Sequence, residues 1–318
     1  MNCPICESDN SKSYMESFDD RYGYQDVFNL DECLNCGHMY ITQEFSDNEL
    51  ENLYTKYYPR SKFDISDHKP HKVGGVFITW LNGDLRSAYR WVPEKVRILD
   101  IGCGFGESLA YHNSRNCEVY GVEADSNIQK VIDKFGYKIH VGLFDYKIYE
   151  PNFFDYVTMD QVAEHVVDPI SVLKGVEKIL KPGGVIILSV PNHQGWGNFC
   201  FGKRWINWHV PYHLHHYTAS SMAEATRRSG LVMMQSKTIT SSSWLYYQWK
   251  HLATLPDIGH HSDFWNGKKF AQLSYRVKSL YLLAWIAHKL KINHIITRIF
   301  DVLKVGDNRV FILKKPKK

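Results

Sequence analysis

The sequence predicts an α/β protein with a doubly wound, mostly parallel sheet, and three observations carry that prediction. An apolar strand pattern near residue 98 runs into a chain of glycines and then a helical pattern. Strand-like and helix-like segments keep alternating from there to residue 240. Two cysteine pairs stand ahead of this region, at a spacing that marks off a small separate module.

At 318 residues the chain exceeds the usual single-domain size, so a main domain with additions is expected. Hydrophobic residues at 44% supply enough core material to exclude disorder as a description of the whole chain. A net charge of +4 is too mild to announce a nucleic-acid binder. The apolar run at 280–287 is far shorter than the ~20 residues that span a membrane. The opening MNCPICESDN lacks the basic and apolar segments of a secretion signal, so a cytoplasmic location with reduced thiols is expected.

In chain order the first element is the pair of knuckles, Cys3-Pro-Ile-Cys6 and Cys33-Leu-Asn-Cys36, separated by 26 residues. Two intervening residues let both sulfurs of a pair face one ion, and two such pairs make the tetrahedral four-sulfur set of structural zinc. Gly37 permits the left-handed backbone that turns amides toward the thiolates. Cys3, Cys6, Cys33 and Cys36 are therefore the expected zinc ligands in a module over 1–42, with the shell filled before His38 competes. A helical linker or cap is expected over 43–92. Ser46 and Glu49 form a capping box, Leu50, Leu53, Tyr54 and Tyr57 recur at helical spacing, and Pro59 ends that helix. Tyr54, Tyr57 and Tyr58 are expected to pack between the module and the next domain.

The core is expected over 93–243. Residues 96–107, VRILDIGCGFGE, read as a buried strand whose end carries Asp100 and then Gly102, Gly104 and Gly106. This Gly-x-Gly-x-Gly spacing differs from the dinucleotide fingerprint, and Asp100 suits a cationic or hydroxyl-bearing ligand better than a pyrophosphate. A second strand, EVYGVEAD, ends in Glu123, placed to accept ribose hydroxyls. YKIHVGLF, FDYVTMDQVAEHV and GGVIILSVPN are the third to fifth strands, with Lys181-Pro182-Gly183-Gly184 as the turn before the fifth. LVMMQSKTIT is the sixth, and the last waits until 309–314. The intervening 244–306 is too long for a bare loop and carries apolar residues at helical spacing, Val277, Leu280, Ala284 and Ala287, then Ile292, Ile295, Ile296, Ile299 and Leu303. It is expected to fold as amphipathic helices, leaving 307–318 for the last strand and a basic tail.

The segments LDIGCGFGE, GVEAD, FDYVTMDQVAEHVVDP, ILKPGG and LSVPN together resemble class I S-adenosylmethionine-dependent methyltransferases. The Glu164-His165 pair after the fourth strand is similar to that of ubiquinone-pathway O-methyltransferases. The cysteine knuckles followed by a Tyr-rich helix are similar to those of zinc-bearing sugar methyltransferases. The resemblance implies a seven-stranded Rossmann-like sheet and S-adenosyl-L-methionine as cofactor. It implies that Asp100, Gly102 and Gly104 line the methionine part, Glu123 holds the ribose, Asp160 and Gln161 close over the sulfonium, and Phe144 offers an adenine wall.

Methyl transfer to oxygen or carbon needs a base with a pKa near working pH, which histidine meets best. His209, His213, His215 and His216 cluster after the fifth strand, and His165 follows the fourth, both at the carboxyl edge of the sheet. His165 is the leading base, with His213 and His216 as further catalytic candidates. Structural packing is the alternative for each of them, and a second metal site is the alternative for the cluster. Pro211 argues against a helix joining His209 to His213, while His215 and His216 point opposite ways in an extended segment. Trp196, Phe199, Phe201, Trp205 and Trp208 form an aromatic wall suited to a sugar ring or to a core.

Residues 268–318 carry a net +11, leaving −7 on the first 267. Basic helices of this kind suit a membrane surface or an anionic substrate, and a lid or homodimer face is the alternative. The expected function is methylation of a small hydroxylated molecule, a sugar, nucleotide sugar or polysaccharide end, with O- ahead of C-methylation. An RNA methyltransferase and a non-catalytic zinc-ribbon protein binding nucleic acid or a membrane surface are the alternatives. Nucleic acid is disfavoured because Asp160-Gln161-Val162-Ala163 fills the place of the Asn/Asp-Pro-Pro-aromatic signature.

Overall fold

The computed structural model describes residues 2–58 and 64–317. Pro59, expected above to end a helix, and Lys318 of the basic tail lie outside the described residues.

The N-terminal module is a hairpin of β1 (Ser11–Phe18) and β2 (Val27–Cys33), extended by β3 (Met39–Ile41). Its knuckles follow one local rule. Gly37 at φ +70° donates its amide to the Cys33 carbonyl, and Glu7 at φ +62° does the same to Cys3. The left-handed residue after each pair is what closes the turn, and Gly37 adopts it at lower cost than Glu7. Helix α1 (Asp47–Asn52) starts from the expected capping box, with Ser46 and Glu49 bonded to each other's backbone. A short α2 (Val76–Asn82) follows, closed by Gly83 at φ +74°.

The core alternates β4 (Arg97–Ile101), α3 (Glu107–Asn113), β5 (Glu118–Glu123), α4 (Gln129–Phe135), β6 (Lys138–Val141), β7 (Phe154–Asp160), α5 (Pro169–Ile179) and β8 (Leu180–Pro191). After α6 (Trp196–Phe201) come β9 (His215–His216), α7 (Ala219–Arg228) and β10 (Val232–Thr238). Helices α8 (Ser242–Ala253), α9 (Tyr275–Lys289) and α10 (Ile292–Val302) precede the last strand, β11 (Asn308–Lys314). The seven-stranded sheet has the order β10-β11-β8-β7-β4-β5-β6, and β11 runs antiparallel to both of its neighbours. Leu99, Val157, Ile186, Leu188 and Phe311 are fully buried across its middle. Strand order reverses between β4 and β7, so their carboxyl ends open the crevice where ligands bind in such sheets.

Three departures from expectation matter. The Lys181-Pro182-Gly183-Gly184 segment is an irregularity within β8, since Leu180 already pairs with Phe154 before Val185 pairs with Tyr156. Strand β9 leaves the core to pair with β3, making a four-stranded sheet β1-β2-β3-β9 that joins the module to the core. The insertion is helical as expected, but α10 is turned over. Asn293, His294, Thr297 and Arg298 are buried, whereas Ile292, Ile295, Ile299 and Val302 are exposed. The buried side is polar because it is hydrogen-bonded there. Thr297 meets Ser242 at 3.0 Å, and Arg298 donates to the carbonyls of Trp80 and Thr240 while pairing with Asp301 at 2.9 Å.

Arg298→Ala should therefore strand the buried Asp301 and two carbonyls and lower stability by roughly 3 kcal/mol, whereas Ile295→Ala on the same helix should change it by less than about 0.5 kcal/mol. Thermal unfolding of the two variants checks the orientation of α10, and equal losses would contradict it.

Candidate active site

The crevice is floored by the loop between β4 and α3. Gly102, Gly104 and Gly106 all have left-handed φ, at +70°, +56° and +77°. Amides of Gly102 and Cys103 donate to the Val122 carbonyl at 2.8 and 3.0 Å, which folds the loop back over β5. A side chain at Gly102 would strike Val162 at 2.4 Å, while at Gly104 it would meet nothing nearer than Glu107 at 4.0 Å. The space above Gly104 is thus open for a ligand to approach backbone. The linker before α2 crosses the same loop, with the His71 amide donating to the Glu107 carbonyl and its ring stacked on Tyr89.

Glu123 stands at the end of β5 as expected, and its Oε2 accepts the Gly104 amide at 2.8 Å. Asp100 lies beneath the loop rather than along it. It is buried, its oxygens accept from Ser108 and from Thr158 at 2.7 Å, and burial raises its pKa to about 7. These bonds tie the strand end to β7 and to the first turn of α3. Gln161 adopts φ +58° and donates to Ser189 and Asn308, so its side chain braces β8 and β11. Asp160 offers a buried Oδ1 that has no hydrogen-bond partner among the described residues. An orphaned carboxylate oxygen at the crevice fits a positively charged ligand group such as a sulfonium or an ammonium. Phe144 is half-buried with its ring toward Gly175 of α5, which turns it toward the helix layer.

The second wall is made by residues 205–217. The His213 amide donates to the His209 carbonyl, closing a turn around Pro211 in which the Val210–Pro211 peptide is cis. His209 and His213 thereby meet at 3.3 Å without a helix, a contact their spacing alone left doubtful. His213 Nδ1 donates to the Asn207 carbonyl, and burial holds its pKa well below the usual histidine value. His165 Nδ1 donates to the Tyr212 carbonyl at 2.8 Å, which leaves Nε2 as the basic nitrogen. The Tyr54 hydroxyl lies 3.2 Å from the same Nδ1, and the His165 and His213 rings are 4.7 Å apart. His216 packs edge-on to Trp208 in the buried wall, and His215 meets His38 at 3.1 Å on the opposite face. Trp205 and Trp208 are core, while Phe199 is exposed and lies outside the wall.

Glu164 was noted only as half of a pair, yet it is the most unusual group here. It is fully buried, neither carboxylate oxygen has a hydrogen-bond partner among the described residues, and burial raises its pKa to about 8. Glu164, His165 and His213 offer three ligand atoms within 4.8 Å of one another. Tyr58 and Tyr212, with rings 5.3 Å apart, also line this wall, and no periodicity in the sequence pointed to their meeting.

A family model for a methyltransferase domain matches residues 48–236. The chain belongs to the class I S-adenosylmethionine-dependent methyltransferases. Among curated relatives, this methyltransferase is 29% identical over 192 residues to the ubiquinone biosynthesis O-methyltransferase of Burkholderia pseudomallei, covering 55% of this chain and 78% of that one. It is 27% identical over 172 residues to the protein of the same description from Xanthomonas campestris, covering 50% and 70%. Among solved structures, phosphoethanolamine N-methyltransferase 2 of Haemonchus contortus with S-adenosyl-L-methionine shares the fold, with a TM-score of 0.51, 17% identity and coverage of 87% and 62%.

Gly104→Leu would fill the opening above the loop and force a branched side chain to a positive φ. Calorimetry should show loss of S-adenosylmethionine binding in a variant whose circular dichroism is unchanged. Retained affinity would contradict the placement of the cofactor.

Proposed function

We propose that this methyltransferase moves a methyl group from S-adenosylmethionine to a hydroxyl of a small, sugar-like acceptor, with His165 as general base. The observation that carries this reading is the Nδ1 contact of His165 with the Tyr212 carbonyl, which fixes the tautomer and presents Nε2 as the proton acceptor. Bound in the crevice, S-adenosylmethionine would supply the methyl group and leave as S-adenosylhomocysteine, while Nε2 of His165 would take the proton of the acceptor hydroxyl as its oxygen is methylated. Glu123 would hold the ribose, and Asp160 would face the cationic end of the cofactor. An adenine contact falls to Leu143, exposed just past β6, more readily than to Phe144. The O-methyltransferase relatives favour oxygen over carbon. The basic C-terminal stretch suits an acceptor held near an anionic carrier or surface, and a cytoplasmic setting suits the reduced knuckles.

The four cysteines would hold a structural zinc. Cys3 and Cys36 sulfurs are 3.7 Å apart and Cys6 and Cys33 sulfurs 3.5 Å. A tetrahedron of Zn–S bonds of about 2.3 Å has edges of about 3.8 Å, so the cage has the right size.

A second reading rests on Glu164. A carboxyl group buried with no hydrogen-bond partner among the described residues, beside two imidazoles, is a donor set that suits a divalent cation, which would polarise the acceptor oxygen.

Metal analysis of the purified protein should return one zinc per chain, lost together with the fold of the module when Cys33 is replaced by Ser; a metal-free, fully folded protein would sink the zinc assignment. His165→Ala should slow turnover by about 100-fold or more with S-adenosylmethionine affinity unchanged, and full activity would remove it from the mechanism. Glu164→Gln separates the two readings: a second bound cation that disappears in this variant along with activity supports the metal, and unchanged metal content supports the base alone.

A further inference from the structure

The turned-over α10 packs against α2, α8 and α9, and large apolar side chains of α2, α9 and α10 are left exposed. Phe77 and Trp80 of α2, Leu283 and Trp285 of α9, and Ile295 and Ile299 of α10 are all exposed, Leu283 to 63% and Ile295 to 56%. Apolar surface of this extent on interacting helices is rarely left to water. No Asp or Glu occurs from Lys268 to Phe300, whereas Arg276, Lys278, Lys289 and Lys291 do. An apolar face edged along α9 and the start of α10 by these cations is complementary to an anionic bilayer, in which apolar side chains enter the acyl boundary and cations meet the headgroups. A second copy is the poorer occupant, because a twofold dimer on this face would set the same cations against each other. No helix among the described residues is long and apolar enough to cross a membrane, so any such contact lies on the surface.

A cavity of about 430 Å³ opens beside this face, between α8, α9 and the loop joining them. Trp285 and Leu282 belong both to its lining and to the exposed surface of α9. Inside it, the Lys250 ammonium lies 4.4 Å from the Phe264 ring centroid, 4.8 Å from Tyr281 and 5.3 Å from Tyr246. Lys268 on the same lining is paired with Asp263 at 3.1 Å, while Lys250 has no ion pair among the described residues. Burial lowers the Lys250 pKa from its usual value. An aromatic box around an uncompensated ammonium accepts a phosphate, and the apolar rim accepts what is attached to it.

We propose that the α2–α9–α10 face docks on an anionic bilayer and that the cavity takes the phosphate headgroup of one lipid on Lys250, with its hydrocarbon chains running out over Leu282 and Trp285. The docking is independent of which acceptor the enzyme methylates, and its readout is independent of turnover.

The test uses the full chain and phosphatidylcholine vesicles with and without phosphatidylglycerol, read by flotation. The protein should float with the anionic vesicles, and replacing both Leu283 and Ile295 with Ser should weaken this roughly tenfold or more at unchanged thermal stability. Failure to float at low salt, or flotation indifferent to those substitutions, would overturn the docking face. So would a dimer that the same substitutions convert to monomers without vesicle binding. Calorimetry with dihexanoyl phosphatidylglycerol tests the cavity. Saturable binding that Lys250→Ala abolishes supports it, and either undiminished binding in that variant or equal binding of inorganic phosphate overturns it.

Discussion

The contact on which the acceptor side of the active site depends is a ladder of two residue pairs, Met39 with His216 and Tyr40 with His215. It recruits a loop of the methyltransferase core into the sheet of the cysteine module. Hydroxyls of Thr218 and Ser220 reinforce it by donating to the carbonyl of Cys36, itself one of the knuckle residues. The loop so fixed carries Tyr212, whose carbonyl orients His165, and His213, which stands beside that ring. The cysteine cage, far from His165 in sequence, is therefore one strand pair away from the loop that orients that ring. The module's stability and the orientation of His165 are coupled through backbone hydrogen bonds, which tolerate little displacement.

Burial decides the electrostatics of the crevice more than any ion pair does. Asp100 and Glu164 are both desolvated carboxyls whose pKa values rise, to about 7 and about 8. They differ in what surrounds them. Asp100 has two hydroxyl donors and serves the loop, whereas Glu164 has none among the described residues and faces two imidazoles. The same desolvation is offset by hydroxyl donors at the first and left unbalanced at the second.

The parts legible in the sequence were those governed by local geometry. Strand periodicity, the glycine spacing, the acidic residue one strand later and the CxxC pairs each encode their own conformation, and each falls where it was expected. Parts that depend on tertiary choice were not legible. The stripe of Ile292, Ile295 and Ile299 reads as a core face because apolar periodicity carries no sign, and only the partners of Arg298 and Thr297 reveal that the opposite side is buried. Phe144 and Gln161 occupy the expected stretches of chain, but their side chains are turned by packing against α5 and by hydrogen bonds to β8 and β11. His209 and His213 were separated by a proline that forbids a helix, and a tight turn brings them together instead.

The bond from the Gly104 amide to Glu123 has an entropic meaning. It closes the glycine loop onto the neighbouring strand through the chain's own groups, so the entropy of ordering that loop is met during folding. In the reaction proposed here, donor and product would exchange at that ordered loop beneath the linker near His71, and the acceptor would be seated against the histidine wall.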